Sequence, residues 1–223
     1  MGVLLAQAAR LRGAEVTLVH GPLTVDSQLL EGLACVPVQT AADMERALVR
    51  LQPCADAIAM AAPFYPPYAN ILQALGMRPQ LLECDAATRF QPTVAMLEKL
   101  DPRPAGLIIA SPCNPAGTML TPDELAAIAR WCHAEGVRLI SDEIYHGLSW
   151  GTVAESSAAA FIDSAVVVNS FSKYWSMTGW RIGWLVLPED LIRPVECLAQ
   201  NMFISAPHIA QVAAEAAMDC REE

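Results

Sequence analysis

Lysine is almost absent from this chain. Lys99 and Lys173 are the two lysines among 14 basic residues, set against 24 acidic ones, and the formal net charge is −10. A surface of that sign repels a phosphate backbone, which argues against nonspecific nucleic-acid binding. Although 54% of the residues are hydrophobic, no uninterrupted apolar run reaches the roughly 18 residues of a membrane helix, so no membrane association is expected. The apolar residues come in short blocks broken by Gly, Pro and charge, as in buried parallel strands and their covering helices. The seven cysteines, Cys35, Cys54, Cys84, Cys113, Cys132, Cys197 and Cys220, are scattered, with no C-x-x-C pair. Such a set supports neither a disulfide framework nor a zinc site, no metal is expected, and a reducing cytoplasm is the natural compartment. A leader is not expected either. Arg10 and Arg12 follow the apolar start instead of preceding it, and Ala6 stands where a myristoylation signal needs Ser or Thr.

Strand and helix patterns alternate throughout. The first stretch predicts a helix over 3–11, a strand over 15–20, a second strand over 34–38, and a helix capped by Thr40 and Asp43 that runs to residue 51. An apolar strand follows over 56–61. The texture changes at Pro63, where Pro63, Pro66 and Pro67 open a helix closed by Gly76. Beyond it the pattern predicts strands over 80–83, 105–110, 137–141, 165–169 and 181–187. Helices are expected over 92–100, from the Thr121/Glu124 capping box to residue 134, over 188–202 and over 207–220. This order implies an α/β fold with a mainly parallel sheet covered on both faces.

Three blocks lie beyond the carboxyl ends of strands, where an open α/β sheet places its ligands. They are Ser111-Pro112-Cys113-Asn114-Pro115-Ala116-Gly117, Ser141-Asp142-Glu143-Ile144-Tyr145, and the run from Ser170 to Gly183. Lys173 offers an amine able to form a Schiff base with an aldehyde. Asp142 offers a carboxylate to hold a proton on a ring nitrogen. Asn114 and Tyr145 offer neutral donors to a ring oxygen. Ser170, Ser172 and Arg181 offer hydroxyls and a bidentate cation to a phosphate. Tyr65 offers an aromatic face. Taken singly, an Asn-Pro is a turn, an Asp-Glu at a strand end is a cap, and a loop lysine is surface.

Taken together, in this order and with the S-x-S-K…G-x-R-x-G run, the blocks resemble the large-domain core of class I/II aminotransferases, pyridoxal-phosphate (PLP) enzymes of fold type I. The resemblance covers about 63–220. It implies that Lys173 carries the cofactor as an aldimine and moves the proton. It further implies that Asp142 pairs with the pyridine nitrogen, that Asn114 and Tyr145 bond the ring hydroxyl, that Ser170, Ser172 and Arg181 hold the phosphate, and that Tyr65 stacks on the ring. An amino acid and a 2-oxo acid would be the substrates, and a homodimer the assembly. Residues 1–62, with LAQAARLRGAEVTLVHGPL and TAADMERAL, resemble the interior of phosphopantothenoylcysteine synthetase, a Rossmann-like α/β segment without that family's nucleotide loop.

Two features of the aminotransferase family have no counterpart here. The Gly/Ala turn that grips the phosphate upstream of Pro63 is not visible, and neither Arg193 nor Arg221 sits in a context resembling the family's carboxylate-binding arginine. Three functions therefore stay open at this level: an aminotransferase, a PLP-binding chain without turnover, and a nucleotide-binding module set by residues 1–62.

Overall fold

The computed structural model describes residues 2–51 and 56–220, so Cys54 and Arg221 lie outside the described residues. The chain forms two compact units that divide before Asp56. In the first, α1 (Gly2–Leu11), β1 (Thr17–His20), β2 (Ala34–Pro37) and α2 (Ala41–Leu51) follow the order read from the sequence. β1 and β2 pair in parallel, with Thr17 opposite Ala34. The start of α2 is capped reciprocally. Thr40 Oγ1 accepts from the Asp43 N–H at 3.1 Å, and the Asp43 carboxylate accepts from the Thr40 N–H at 2.9 Å.

The second unit holds a six-stranded sheet in the order β4-β3-β5-β6-β7-β8. Its strands are β3 (Ala57–Ala62), β4 (Arg78–Glu83), β5 (Gly106–Ala110), β6 (Arg138–Asp142), β7 (Val166–Ser170) and β8 (Gly183–Val186). All neighbours run parallel except β8, which closes the β7 edge antiparallel. The strand ahead of the Pro63 change of texture therefore pairs inside this sheet, between β4 and β5.

Alternation along the strands sorts their side chains onto two faces. Leu107 and Ile109 of β5 join Leu139 and Val167 beneath α5 (Pro122–Glu135), whose Leu125, Ile128, Ala129 and Cys132 are buried against them. Ile108, one residue out of step, packs on the opposite face with Ile58, Met60 and Leu72, the last from α3 (Pro67–Ala74). Burial of each such aliphatic side chain contributes about 1.5–3 kcal/mol. α5 begins at the expected capping box, with Thr121 Oγ1 accepting from the Glu124 N–H at 3.3 Å, and ends at Gly136 in the left-handed conformation, φ +67°. α6 (Glu189–Met202) and α7 (His208–Asp219) follow β8, and α7 buries Ala214 against Phe171 and Met177.

One expected helix shrinks. The span 92–100 holds only the single turn α4 (Val94–Leu97), because Thr93 is extended at its start and Asp101 precedes Pro102 at its end. A residue before proline is pushed out of the α region. Arg103 also donates to the Leu97 carbonyl at 2.9 Å, capping the turn from outside.

Gly183 is where β8 meets β7 beside the Lys173 loop. A Cβ there would lie 2.6 Å from the Asn169 carbonyl oxygen and 2.8 Å from Ser170 Cβ. Gly183→Ala should therefore cost about 1–3 kcal/mol, as overpacking against backbone does. A urea midpoint equal to that of the unsubstituted chain would show that the β7–β8 edge yields freely.

Candidate active site

Strand order reverses between β3 and β5. β3 leads outward to β4, and the chain then returns to place β5 on the other side of β3. Such a switch point opens a crevice beyond the strand ends. Its walls here are Pro63, Phe64 and Tyr68 after β3 and Cys113 and Asn114 after β5, with Gln91 reaching in from the segment before α4.

The loop that carries Asn114 is pinned at both ends. Gln91, 2% exposed, donates through Nε2 to the Ala110 carbonyl at 3.2 Å and the Thr118 carbonyl at 2.9 Å. Within the loop, the Cys113 N–H donates to the Thr118 carbonyl at 2.9 Å. Buried Ser111 Oγ accepts from the Leu120 N–H at 3.0 Å. These contacts satisfy backbone groups that would otherwise be buried unpaired, and they aim Asn114 across to the next strand end. Asn114 Nδ2 donates to the Tyr145 hydroxyl at 3.4 Å.

Asp142 ends β6, and its carboxylate is used on both oxygens. Oδ1 accepts from the Ile144 N–H at 3.1 Å, turning the chain toward Tyr145. Oδ2 accepts from the hydroxyl of Tyr68 in the first turn of α3. Burial, joined by the charge of Asp142, pushes the Tyr68 phenol well above its usual value, so Tyr68 remains a donor. Lys173, in the loop after β7, sets Nζ 5.6 Å from the centroid of the Tyr145 ring.

Ser170, Ser172 and Arg181 form a connected run. Ser170 Oγ accepts from the Ser172 N–H at 2.9 Å, the Thr178 hydroxyl donates to the Ser172 carbonyl at 2.6 Å, and Arg181 donates to the Thr178 carbonyl at 2.9 Å. Arg181 itself is left-handed, with φ +54°. That conformation costs an arginine about 1–2 kcal/mol relative to the right-handed one, a cost that places its exposed guanidinium where a right-handed residue could not.

Contacts thus connect Asn114 to Tyr145 and Tyr145 to Lys173, connect Asp142 to Tyr68 of the crevice wall, and link Ser170, Ser172 and Arg181 in a separate run. Tyr65 stands apart from this network: it is 43% exposed and meets Tyr68 edge-on, with ring centroids 5.6 Å apart. The sequence reading passed over Tyr68 and Thr178. The signal for Tyr68 was its spacing of four residues from buried Leu72 on α3, which puts both on the helix face that meets the sheet. Cys113, between these groups, has its thiol pushed up by burial and offers no ready thiolate.

Residues 36–223 match the family model for aminotransferase class I and II. The chain belongs to that family. Its members depend on pyridoxal phosphate, and its fold is the fold type I architecture seen here. The chain resembles valine–pyruvate aminotransferase of Mycobacterium tuberculosis, with 53% identity over 163 residues, 73% of this chain and 42% of that protein. Aspartate aminotransferase of Geobacillus stearothermophilus is 35% identical over 173 residues, covering 75% of this chain and 44% of that protein. This chain therefore spans less than half the length of those relatives.

Among solved structures, an aminotransferase from Mycobacterium tuberculosis superposes with a TM-score of 0.71 at 41% identity, over 96% of this chain and 59% of that one. A mutant aspartate aminotransferase of Thermus thermophilus gives a TM-score of 0.71 at 26% identity, over 78% and 50%. Residues 1–64 also match the C-terminal domain of the DNA/pantothenate metabolism flavoproteins, overlapping the first match. That second match agrees in part with the phosphopantothenoylcysteine synthetase resemblance of residues 1–62.

Proposed function

We propose that the protein of this chain transfers an amino group from an amino acid to a 2-oxo acid, with Lys173 as the catalytic residue. The observation that carries this reading is the chain of contacts from Asn114 of the switch-point crevice to Tyr145 and from Tyr145 to Lys173, with Asp142 bonded to Tyr68 of the same crevice wall. The donor set fits pyridoxal phosphate group by group. Lys173 supplies the amine, Asp142 the anion for the ring nitrogen, and Asn114 and Tyr145 the donors to the ring oxygen. Ser170, Ser172 and Arg181 would supply the phosphate contacts, while Tyr65, expected as the aromatic face, stands 43% exposed outside that set. When bound, the cofactor supplies the electron sink that lets a substrate carbon lose its proton.

The protein's own tasks are positional. Tyr68 and the Ile144 N–H hold the Asp142 carboxylate in one orientation, where its charge would serve the ring nitrogen without reorganising. Lys173 would take and return the proton at the reacting carbon. Arg181, with Thr178 steering it, offers a fork to phosphate oxygens. The 53% identity to a valine–pyruvate aminotransferase supports a small apolar amino acid as donor and pyruvate as acceptor. A homodimer in the cytoplasm belongs to the same proposal; six described cysteines are free thiols, which suits a reducing compartment. No helix among the described residues is long and apolar enough to cross a membrane. The division into a Rossmann-like segment over 1–62 and an aminotransferase core over 63–223 is likewise proposed, supported by the pantothenate-family match over 1–64. On that division, β3 serves the core sheet although its sequence falls in the first segment.

The scarcity of lysine makes the test clean. Protein incubated with pyridoxal phosphate, reduced with borohydride and digested should carry the label on the Lys173 peptide. A label confined to Lys99, or none on either, would falsify the assignment.

A further inference from the structure

Glu143 lies between Asp142 and Tyr145 in sequence, yet it faces the other way. Its side chain is buried, 3% exposed, in a position a hydrophobic residue of similar size could fill at lower desolvation cost. Its two oxygens face different partners. Oε1 accepts from Ser141 Oγ and from the Ala158 N–H, each at 2.9 Å. Oε2 lies 3.6 Å from His146 Nδ1, and the other ring nitrogen of His146 is 3.1 Å from the Ser111 carbonyl oxygen. Both ring nitrogens therefore face oxygens, the Ser111 carbonyl being the nearer. Ser111 opens the Asn114 loop, and Ala158 belongs to the short 3-10 turn Ala158–Ala160 ahead of β7.

We propose that Glu143 is a positioning residue, clasping the Asp142–Tyr145 turn to the Asn114 loop through His146 and to the approach of β7 through Ala158. Its benefit to the site rests on the reading of Asn114, Asp142 and Tyr145 as cofactor ligands. The clasp explains why a carboxylate occupies this core position. A leucine would fill the space, but it would leave the Ala158 N–H and Ser141 hydroxyl without their acceptor and His146 without its anchor. The Ser111 N–H to Asp142 carbonyl bond, 3.2 Å, and the Asn114–Tyr145 contact would remain between the two loops, with the His146 reach to Ser111 no longer backed by a carboxylate.

The test compares Glu143→Leu, Glu143→Gln and His146→Phe by amide hydrogen exchange and by binding of added pyridoxal phosphate. In Glu143→Leu, amides of 111–118 and 142–147 should exchange about tenfold faster or more, the scale of one or two lost net hydrogen bonds. Glu143→Gln keeps an oxygen for Ser141 and Ala158 but presents an amide to His146. It should restore protection over 142–147 and leave 111–118 fast. His146→Phe should accelerate 111–118 alone. Pyridoxal phosphate should bind progressively more weakly, with an altered absorption band, from the unsubstituted chain through Glu143→Gln to Glu143→Leu. Should Glu143→Leu fail to fold, Glu143→Gln and His146→Phe read the same loop.

Unchanged exchange over 111–118 in Glu143→Gln and His146→Phe overturns the proposal. So does an acceleration spread evenly over the sheet, which would make Glu143 a general stability residue. Absence of cofactor binding by the unsubstituted chain would sink the functional reading instead, while the exchange data still decide the clasp.

Discussion

Lys173→Ala is expected to lower amino-group transfer by about 10²–10⁴-fold or more, the usual contribution of a positioned proton-transfer group. Folding should survive, because Lys173 sits in a loop after β7 and makes one cation–ring contact, to Tyr145. A single-turnover assay on cofactor-loaded protein reads the effect directly, with far-UV circular dichroism as the folding control. Lys99, exposed just after α4, is the internal comparison, and Lys99→Ala should match the unsubstituted chain. Equal rates for Lys173→Ala and the unsubstituted chain would remove Lys173 from the mechanism and, with it, the reason to regard the crevice as catalytic.

Asp142→Asn is the second large effect. An asparagine has nearly the same shape and keeps one oxygen to accept from either Ile144 or Tyr68, so the turn should persist. What it lacks is the charge. A preorganised charge or donor facing a developing charge contributes about 3–4 kcal/mol, or 10²–10³-fold in rate. The same single-turnover assay should therefore slow by about that factor, with the unfolding midpoint shifted far less. If the order is reversed, with a large loss of stability and an unchanged rate, Asp142 is a turn residue whose task is to anchor Tyr68 and Ile144.

These tests weigh local against long-range information in one chain. The helix starts were legible because a cap is made by residues three apart. Thr40 with Asp43 and Thr121 with Glu124 need no partner from elsewhere, and both form as read. The strand order along the chain was legible for the same reason, since short β-branched and aliphatic blocks between turn residues declare themselves locally. The helix expected over 92–100 came out as one turn, because the extended Thr93, Pro102 and the Arg103 cap bound it.

The site divides in the same way. Lys173, Asp142, Asn114, Tyr145, Ser170, Ser172 and Arg181 could be named from motifs in chain order, because each chemistry needs a distinctive residue type at a strand end. Their mutual geometry could not be read. The bond from Tyr68 to Asp142 spans 74 residues, and the reach of His146 to Ser111 spans 35. Neither exists until β3, β5 and β6 lie side by side.

The sequence by itself determined the family and the α/β alternation, and it named the residues proposed to face the cofactor, because those depend on residue type and on spacing within a turn or a strand. Only the tertiary structure decided that β3 pairs between β4 and β5, that Tyr68 orients Asp142 while Tyr65 stays exposed, and that buried Glu143 reaches both neighbouring segments. The physical reason is that sheet pairing brings together strand ends far apart in the chain, and a hydrogen bond lost beyond about 3.5 Å leaves no trace in local composition.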